Sequence, residues 1–414
     1  MAEAPSGTGP AKATPLLLAL FAIAVLAETT RAPQVNLDLG PLYGAAVLLD
    51  QGRLAEAYEA DPFDPRYAGP ALTEAARTHG YPVKRVLRYM HPPVLAAAML
   101  PMAQLDFPEA ALLFRVLSLL ALSASAFLLG RIAGGGAAHS AVAILALLLS
   151  DPIRTTLDLG QTNAFALLLL AGAAVSPLGL VQGILLGLAP HLKTCLIAVP
   201  IVLLASRRIL AALLAALVFF GVNGLAYVSW PQETKAYLSS MQDLSGLQFI
   251  WPDQQSLAAQ VARIETGFVE ADLAAWRDEA VSSQLTGPVG IAWAALVTGI
   301  ACIVAFSKRP DAHSAMALGV PSGLLASPVL HTHYGVFLAV PAAWVAGRGR
   351  MDLCAWLVLG GILLACLPLH RGEVPFLLHY MGGGFLHWAF VVRMLIATAL
   401  VTCGVALGLR PDSR

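Results

Sequence analysis

Ionisable side chains that could take part in catalysis lie beside the apolar segments of this 414-residue chain. Asp38 follows the first apolar segment within a few residues, and Pro41 suits the first turn of a helix just after it. A carboxylate at a lipid–water boundary can act as a general base that takes a proton from an attacking hydroxyl. The alternative is that Asp38 only caps an amphipathic helix, which we predict over residues 43–59.

Further polar side chains occur where later apolar segments end. They are Arg154, Asp158, Gln161, Asn163, His191, Lys193, His331, His333, Tyr334, His370, Arg371, His379 and His387. Ionisable residues in or beside membrane spans are costly, and this favours a functional role. The alternatives are hydrogen bonding between helices for Gln161 and Asn163, extension of Lys193 to the headgroups, and interfacial histidines without chemistry.

Neither the histidines nor the cysteines form a metal-ligand pattern. His331 and His333 lack a nearby third ligand. The five cysteines lie in or beside apolar runs and none is paired at short spacing, so a disulfide framework is also not predicted. We therefore expect no metal and no cofactor.

The composition defines the class of protein that must position these residues. The chain is 58% hydrophobic and 12% charged, about half the charged content of a soluble domain. Its 25 basic and 25 acidic residues balance, which argues against a nucleic-acid partner. We predict an all-α polytopic membrane protein, with residues 1–414 as one integral membrane domain.

Apolar runs predict about ten to twelve transmembrane helices, and we favour twelve, since roughly 20 residues cross a bilayer. We interpret the first as an uncleaved span rather than a signal peptide. The runs are 15–30, 108–131, 137–151, 161–176, 178–192, 195–206, 209–229, 288–307, 312–330, 334–347, 352–369 and 385–408.

Lysines and arginines in short loops predict the orientation, because they are enriched on the cytoplasmic side. Both termini are then cytoplasmic, and the long loops 31–107 and 230–287 are extracytoplasmic, together with Asp38 and the other polar side chains. In the first loop we expect interfacial helices, since the apolar run from Pro93 to Leu105 is too short to span and is either interfacial or re-entrant. The alanine- and glycine-rich composition favours a bacterial plasma (inner) membrane. The predicted cytoplasmic residues are Lys12, Arg131, Arg207, Arg208, Lys308, Arg309, Arg348, Arg350, Arg410 and Arg414.

Four stretches follow one another in an order known from one family. They are Asp38 with Tyr43, Ala45-Ala46 and Gly52; His91-Pro92-Pro93 through Leu100-Pro101; Gly160-Gln161-Thr162-Asn163 with Gly183, Gly187 and Lys193; and Ser327-Pro328 with His333-Tyr334. Over residues 15–345 the chain resembles the GT-C membrane glycosyltransferases, most of all the mannosyltransferase-like glycosyltransferase family 87. It departs from the family where His91 replaces an aromatic residue and Asp253-Gln254-Gln255-Ser256 replaces Asn-Gln-Ser.

The resemblance implies a GT-C type bundle that moves a sugar, typically mannose, from a polyprenyl-phosphate donor with inversion. Transfer to a lipid or cell-envelope glycan acceptor would take place on the extracytoplasmic face, with Asp38 as the general base. Lys193 and His333 are the first choices for stabilising the leaving phosphate, and Arg154, His331 and Tyr334 come next. Gln161 and Asn163 would orient sugar or phosphate, and Tyr43 is a further candidate for substrate binding.

A secondary transporter or flippase for a lipid-linked or anionic solute is the alternative class. It would also have ten to twelve spans with ionisable residues among them. Transporters, however, tend to have two related halves and a site near the bilayer midplane. This sequence has no detectable internal repeat, and its polar residues occur at one predicted boundary.

Overall fold

The chain folds as an all-α membrane protein with two small antiparallel strand pairs. The structure is a computed structural model and describes residues 36–134, 150–245, 247–249, 254–265, 280–282, 285–366 and 392–409. The predicted first span (15–30), nearly all of the predicted span 137–151, and His370, Arg371, His379 and His387 lie outside the described residues.

Helices account for most of the described chain. Their bounds, in order, are α1 (Leu39–Asp50), α2 (Pro70–Thr78), α3 (Pro93–Ala98), α4 (Leu100–Ala103), α5 (Phe107–Ile132), α6 (Asp151–Leu159), α7 (Asn163–Val175), α8 (Gly179–Leu192), α9 (Ala198–Ala205), α10 (Ile209–Ser229), α11 (Pro231–Ser245), α12 (Leu257–Glu265), α13 (Thr286–Lys308), α14 (Ala312–Ala326), α15 (Ala339–Arg348), α16 (Leu353–Cys366) and α17 (Arg393–Gly408). Shorter 3₁₀ segments cover Leu54–Tyr58, Thr194–Ile197 and Thr332–Leu338.

Three of the described helices, α5, α10 and α13, are long and apolar enough to cross a membrane. They match the predicted runs 108–131, 209–229 and 288–307 closely. In α10 and α13 most of the apolar residues face outward, as lipid-facing side chains do. The remaining predicted spans that are described contain helices too short to cross a bilayer untilted, so the count of ten to twelve stays a prediction.

The first long loop is more tightly packed than predicted. The prediction of an amphipathic helix over residues 43–59 is wrong. Helix α1 begins earlier, at Leu39, and ends at Asp50. Gly52, two residues later, has a left-handed conformation with φ 70°. The helix is buried on nearly every side because α2, α3 and α4 pack around it. An amphipathic helix does occur in this loop, but it is α2, which buries only Leu72, Ala75 and Ala76.

Each long loop also contains a short pair of antiparallel strands. In the first loop β1 (Ala60–Asp61) pairs with β2 (Asp64–Ala68). In the second loop β3 (Leu247–Phe249) pairs with β4 (Ala280–Ser282), with Leu247 opposite Ser282. β1 and β2 form a local hairpin, whereas β3 and β4 join distant parts of the second loop.

The helices alternate in direction, so several chain segments meet at one end of the bundle. The start of α7, the end of α8 and the segment after α14 come together there, next to the start of α1. The α7–α8, α9–α10 and α13–α14 connections lie at the other end. The polar residues singled out from the sequence therefore fall at the first end, one helix length away from the second.

Candidate active site

Asp38 stands directly before α1 but does not cap it. Its backbone N–H donates to the Leu159 carbonyl at 3.0 Å, which ties the start of α1 to the end of α6. Its side chain forms no capping hydrogen bond with α1, and Oδ2 instead accepts one from Gln161 Nε2 at 2.5 Å. Asp38 is partly exposed. The carboxylate is thus oriented by another segment while remaining accessible to a substrate.

Gly160 makes the close approach between α6 and α1 possible. It ends α6 in the left-handed conformation, at φ 69°, which glycine adopts without steric cost. A β-carbon at this position would lie 2.7 Å from the β-carbon of Leu39, the neighbour of Asp38. The turn therefore needs glycine both for its conformation and for space, and it places Gln161 beside Asp38.

We expect Gly160→Ala to lower activity by at least about tenfold, because a displacement of about 1 Å in a catalytic group can cost on the order of 100-fold. The left-handed backbone adds a stability loss of about 1–2 kcal/mol. Activity of the purified protein and thermal unfolding in detergent measure the two effects.

Gly52→Ala is the matched control for this substitution. Gly52 has nearly the same φ, 70°, but a β-carbon there would meet nothing within 4 Å. It should therefore show the stability loss with unchanged activity. Equal activity loss in both variants would contradict the positioning role of Gly160.

Gln161 links Asp38 to Lys193 through the two ends of its amide. Its Oε1 accepts a hydrogen bond from Lys193 Nζ at 2.6 Å, while its Nε2 donates to Asp38. An ammonium only donates and a carboxylate only accepts, so the network fixes the amide orientation. One amide therefore connects the Asp38 carboxylate to the Lys193 ammonium and fixes their relative positions.

Lys193 is a buried cation in the connection after α8. It is 8% exposed, and its Nζ lies 4.9 Å from the centre of the Tyr334 ring, within cation–π range. Burial lowers the pKa of Lys193 to about 8, although the negative charge of Asp38 opposes this shift. A lysine held this way is a strong ligand for an anion that replaces the water it has lost.

The segment after α14 brings three aromatic side chains to the site. The rings of His331 and His333 stack 5.0 Å apart, and His333 meets Tyr334 edge-on at 4.9 Å. Asn163, at the start of α7, donates to the His333 carbonyl at 3.1 Å and to Thr156 Oγ1 at 3.3 Å. Asn163 is fully buried and joins α6 and α7 to this segment.

Residues of the second loop form hydrogen bonds to the chain just before His331. Gln254, Gln255 and Ser256 are almost completely buried. Gln254 Oε1 accepts from the Leu330 N–H at 2.7 Å, and Ser256 Oγ donates to the Pro328 carbonyl at 2.6 Å. Gln254 and Ser256, which belong to the stretch where the sequence departs from the family pattern, therefore position the segment that leads into His331–Tyr334.

Two predicted site residues lie apart from these contacts. Tyr43 is fully buried, and its hydroxyl donates to the Leu105 carbonyl at 2.6 Å within the first loop. Arg154 lies partly buried on α6. Among the described residues, no hydrogen bond or ion pair joins either side chain to Asp38, Gln161 or Lys193.

Two ion pairs that anchor α6 were not predicted. Arg115 on α5 lies 3.6 Å from Asp158, and Arg393 on α17 lies 4.0 Å from Asp151. Both arginines are buried. Each arginine lies inside an apolar run, and this alone would have predicted a buried charge with a partner. Which acidic residue is the partner depends on how the helices pack.

Tyr81 and His91 also belong to the site and were not predicted as site residues. The Tyr81 hydroxyl is buried and makes no hydrogen bond within the described chain, and burial together with the charge of Asp38 raises its pKa. Burial, with the nearby charge of Lys193, lowers the pKa of His91 to about 3, so its imidazole is neutral. Within the described residues, no group of three or more potential ligands forms a metal site.

The arrangement defines a class of protein: a helical membrane protein with a carboxylate, a bridging amide and a buried cation at one end of its bundle. Residues 89–328, more than half of the chain, match glycosyltransferase family 87. The chain belongs to this family. The matched region contains Gln161, Asn163 and Lys193, whereas Asp38 and His333 lie outside it.

Two similar proteins are polyprenol-phosphate-mannose-dependent alpha-(1-2)-phosphatidylinositol pentamannoside mannosyltransferases. The one from Mycobacterium tuberculosis (strain CDC 1551 / Oshkosh) is 27% identical over 268 residues, which span 63% of this chain and 58% of that protein. The one from Mycolicibacterium smegmatis (strain ATCC 700084 / mc(2)155) is 25% identical over 391 residues, 91% of this chain and 85% of that protein.

Proposed function

We propose that this protein transfers mannose from a polyprenyl-phosphate donor to a glycolipid or glycan acceptor. The observation that carries the proposal is the Asp38–Gln161–Lys193 chain of hydrogen bonds in a member of glycosyltransferase family 87. Both relatives are named for this kind of donor and for a phosphatidylinositol mannoside acceptor. A lipid-linked donor reaches such a site from the bilayer.

In the proposed reaction Asp38 takes the proton from an acceptor hydroxyl as its oxygen forms a bond to the anomeric carbon. The bond from that carbon to the phosphate oxygen breaks on the opposite side, so the configuration inverts. The lipid phosphate leaves with the bonding electrons and gains negative charge. Groups placed in advance around that charge lower the barrier.

Lys193 and the His331–His333 pair are the proposed ligands of the leaving phosphate. Lys193 is buried and positively charged at neutral pH, and the histidine rings lie beside the Tyr334 ring over which its ammonium sits. Gln161 would orient the base and the cation together. Asn163 positions His333 through the hydrogen bond to its carbonyl. The buried Tyr81 hydroxyl would form a hydrogen bond with a substrate hydroxyl near Asp38.

We further propose that the reaction takes place on the extracytoplasmic face of the plasma membrane, with both termini cytoplasmic. The distribution of lysine and arginine in the short connections supports this orientation. Labelling of single cysteines, introduced at exposed loop positions such as Asp50 and Lys235, with an impermeant reagent in intact cells tests it. Labelling only after the membrane is opened would reverse the orientation.

The direct test is transfer of radiolabelled mannose from polyprenyl-phosphate-mannose by the purified protein in lipid nanodiscs. Product should form with a phosphatidylinositol mannoside acceptor, and GDP-mannose should not replace the donor. NMR of the new glycosidic bond would show whether the configuration is inverted. Movement of lipid-linked sugar across vesicles without formation of a glycoside would instead favour a flippase.

The pKa of Lys193 makes donor use dependent on pH. Burial lowers this pKa, so the ammonium predominates below about pH 8 and is lost as the pH rises above it. The donor is a phosphodiester whose charge does not change over this range. We expect kcat/KM for the donor to fall about tenfold from pH 8 to 9–9.5, since kcat/KM reports ionisation of the free enzyme.

Lys193→Arg is the comparison for this profile, because a guanidinium stays charged throughout. The variant should be less active but should lose the decline above pH 8. An unchanged decline in Lys193→Arg would show that another group titrates.

A further inference from the structure

A polar cavity lies at the end of the bundle remote from Asp38. This distal cavity has a volume of about 530 Å³ and opens between the α7–α8, α9–α10 and α13–α14 connections. Helix α8 runs for 14 residues from the cavity to Lys193, a distance of about 20 Å at 1.5 Å per residue. Its polar lining consists of Ser176, Gln182, Arg207, Arg208, Asp311 and His313.

The lining of the distal cavity favours an anion. Arg207 and Arg208 bring two positive charges, and Asp311 brings one negative charge that already accepts a hydrogen bond from the Ser314 N–H at 2.7 Å. The first residues of α8, α10 and α14 also line the cavity. The N-terminus of a helix carries partial positive charge and unpaired N–H groups.

The start of α10 contributes three consecutive residues to the cavity lining. The 21-residue helix has no side-chain cap, and its first backbone bond runs from the Ala212 N–H to the Arg208 carbonyl. Residues 209–211 precede that bond, and all three line the cavity. Their N–H groups are suited to the oxygens of a phosphate.

Arg207 occupies a backbone conformation that glycine would take more easily. Its φ is 64°, at the position after α9 where a left-handed glycine commonly ends a helix. An arginine in this conformation strains the backbone. Its guanidinium lies 5.3 Å from the centre of the Phe306 ring, within cation–π range, and Arg207 is part of the cavity lining.

His313 provides a further polar group that lacks a hydrogen-bond partner among the described residues. Its Nε2 is buried and forms no hydrogen bond with any described residue, and the side chain lines the cavity. A buried polar atom normally has a partner. An oxygen of a bound anion would supply one.

We propose that the distal cavity binds the phosphate of an anionic lipid in the membrane leaflet opposite the active site. Ile209 and Leu210 at its rim are 55% and 62% exposed, so the cavity opens onto an apolar surface that lipid tails can cover. Phosphate recognition by arginines, helix N-termini and an imidazole then occurs at the headgroup level. This site is independent of the proposed transfer reaction.

Native mass spectrometry and thermal unfolding of the full-length protein in neutral detergent test the proposal. Phosphatidic acid and phosphatidylglycerol should bind and raise the unfolding temperature, and phosphatidylcholine should bind at least about tenfold more weakly. Equal binding of all three lipids would overturn the proposal. Inorganic phosphate at millimolar concentration should not displace phosphatidylglycerol; full displacement would instead indicate a site for free phosphate.

Arg207→Gly is the decisive variant because it removes the guanidinium and also relieves the backbone strain. Its unfolding temperature without lipid should not fall, while its affinity for phosphatidylglycerol should fall about tenfold or more. Arg309→Gly is the matched control: Arg309 is also left-handed, at φ 47°, but does not line the cavity. Unchanged lipid affinity in Arg207→Gly, or an equal loss in Arg309→Gly, would refute the proposed site.

Discussion

Replacing Asp38 by asparagine is expected to lower mannose transfer about 10²- to 10⁴-fold, the usual contribution of a general base. Asparagine has nearly the same size, and its amide oxygen can still accept the hydrogen bond from Gln161. It cannot take a proton from the acceptor. Donor affinity should therefore be unchanged while single-turnover transfer of radiolabelled mannose becomes slow.

Asp50→Asn is the control for charge and expression, since Asp50 is exposed at the other end of α1. It should retain full transfer. Transfer by Asp38→Asn at the wild-type rate would leave the reaction assigned to the protein but remove Asp38 as its base. Loss of donor binding in Asp38→Asn would indicate an altered structure at the start of α1.

Replacing Lys193 by methionine is the second substitution with a large expected effect. Methionine fills a similar space without the charge, so the leaving phosphate loses a buried ligand. Removal of one such group typically costs about 10²- to 10³-fold in turnover. We expect kcat/KM for the polyprenyl-phosphate donor to fall by this factor, with the KM for the acceptor much less affected.

Lys235→Met provides the comparison, because Lys235 is an exposed cation on α11. It should leave both kinetic parameters unchanged. A larger effect of Lys193→Met on the acceptor than on the donor would contradict the phosphate role. It would place the acceptor, rather than the donor, next to Tyr334.

The sequence was most informative about the long apolar helices. A bilayer imposes a length and an apolar composition on a spanning helix, so the predicted run 209–229 coincides with α10. The first loop obeys no such constraint. The sequence from Tyr43 onward has an amphipathic pattern, which predicted a longer helix. In the structure α1 ends at Asp50, before the left-handed Gly52, and neighbouring helices cover its other faces.

Part of the candidate site was predictable because its residues are polar and follow apolar runs. This signal found Asp38, Gln161, Lys193 and His333, which the structure brings together. The same signal did not identify Tyr81. The Tyr81 hydroxyl lies near Asp38 because the Tyr81 ring packs against Gly40, and this contact depends on the fold. Pairs such as Arg115 and Asp158 depend on helix contacts that one sequence does not encode as a motif.

The contact between α8 and α10 has a consequence for how the family evolves. A β-carbon at Gly183 would lie 2.5 Å from that of Leu214, and one at Gly187 would lie 2.6 Å from the Ala215 carbonyl oxygen. A larger residue at either position would separate the two helices and carry Lys193 away from Gln161. Homologues that replace these glycines should therefore carry compensating changes at the facing α10 positions, so the two sets of positions should covary.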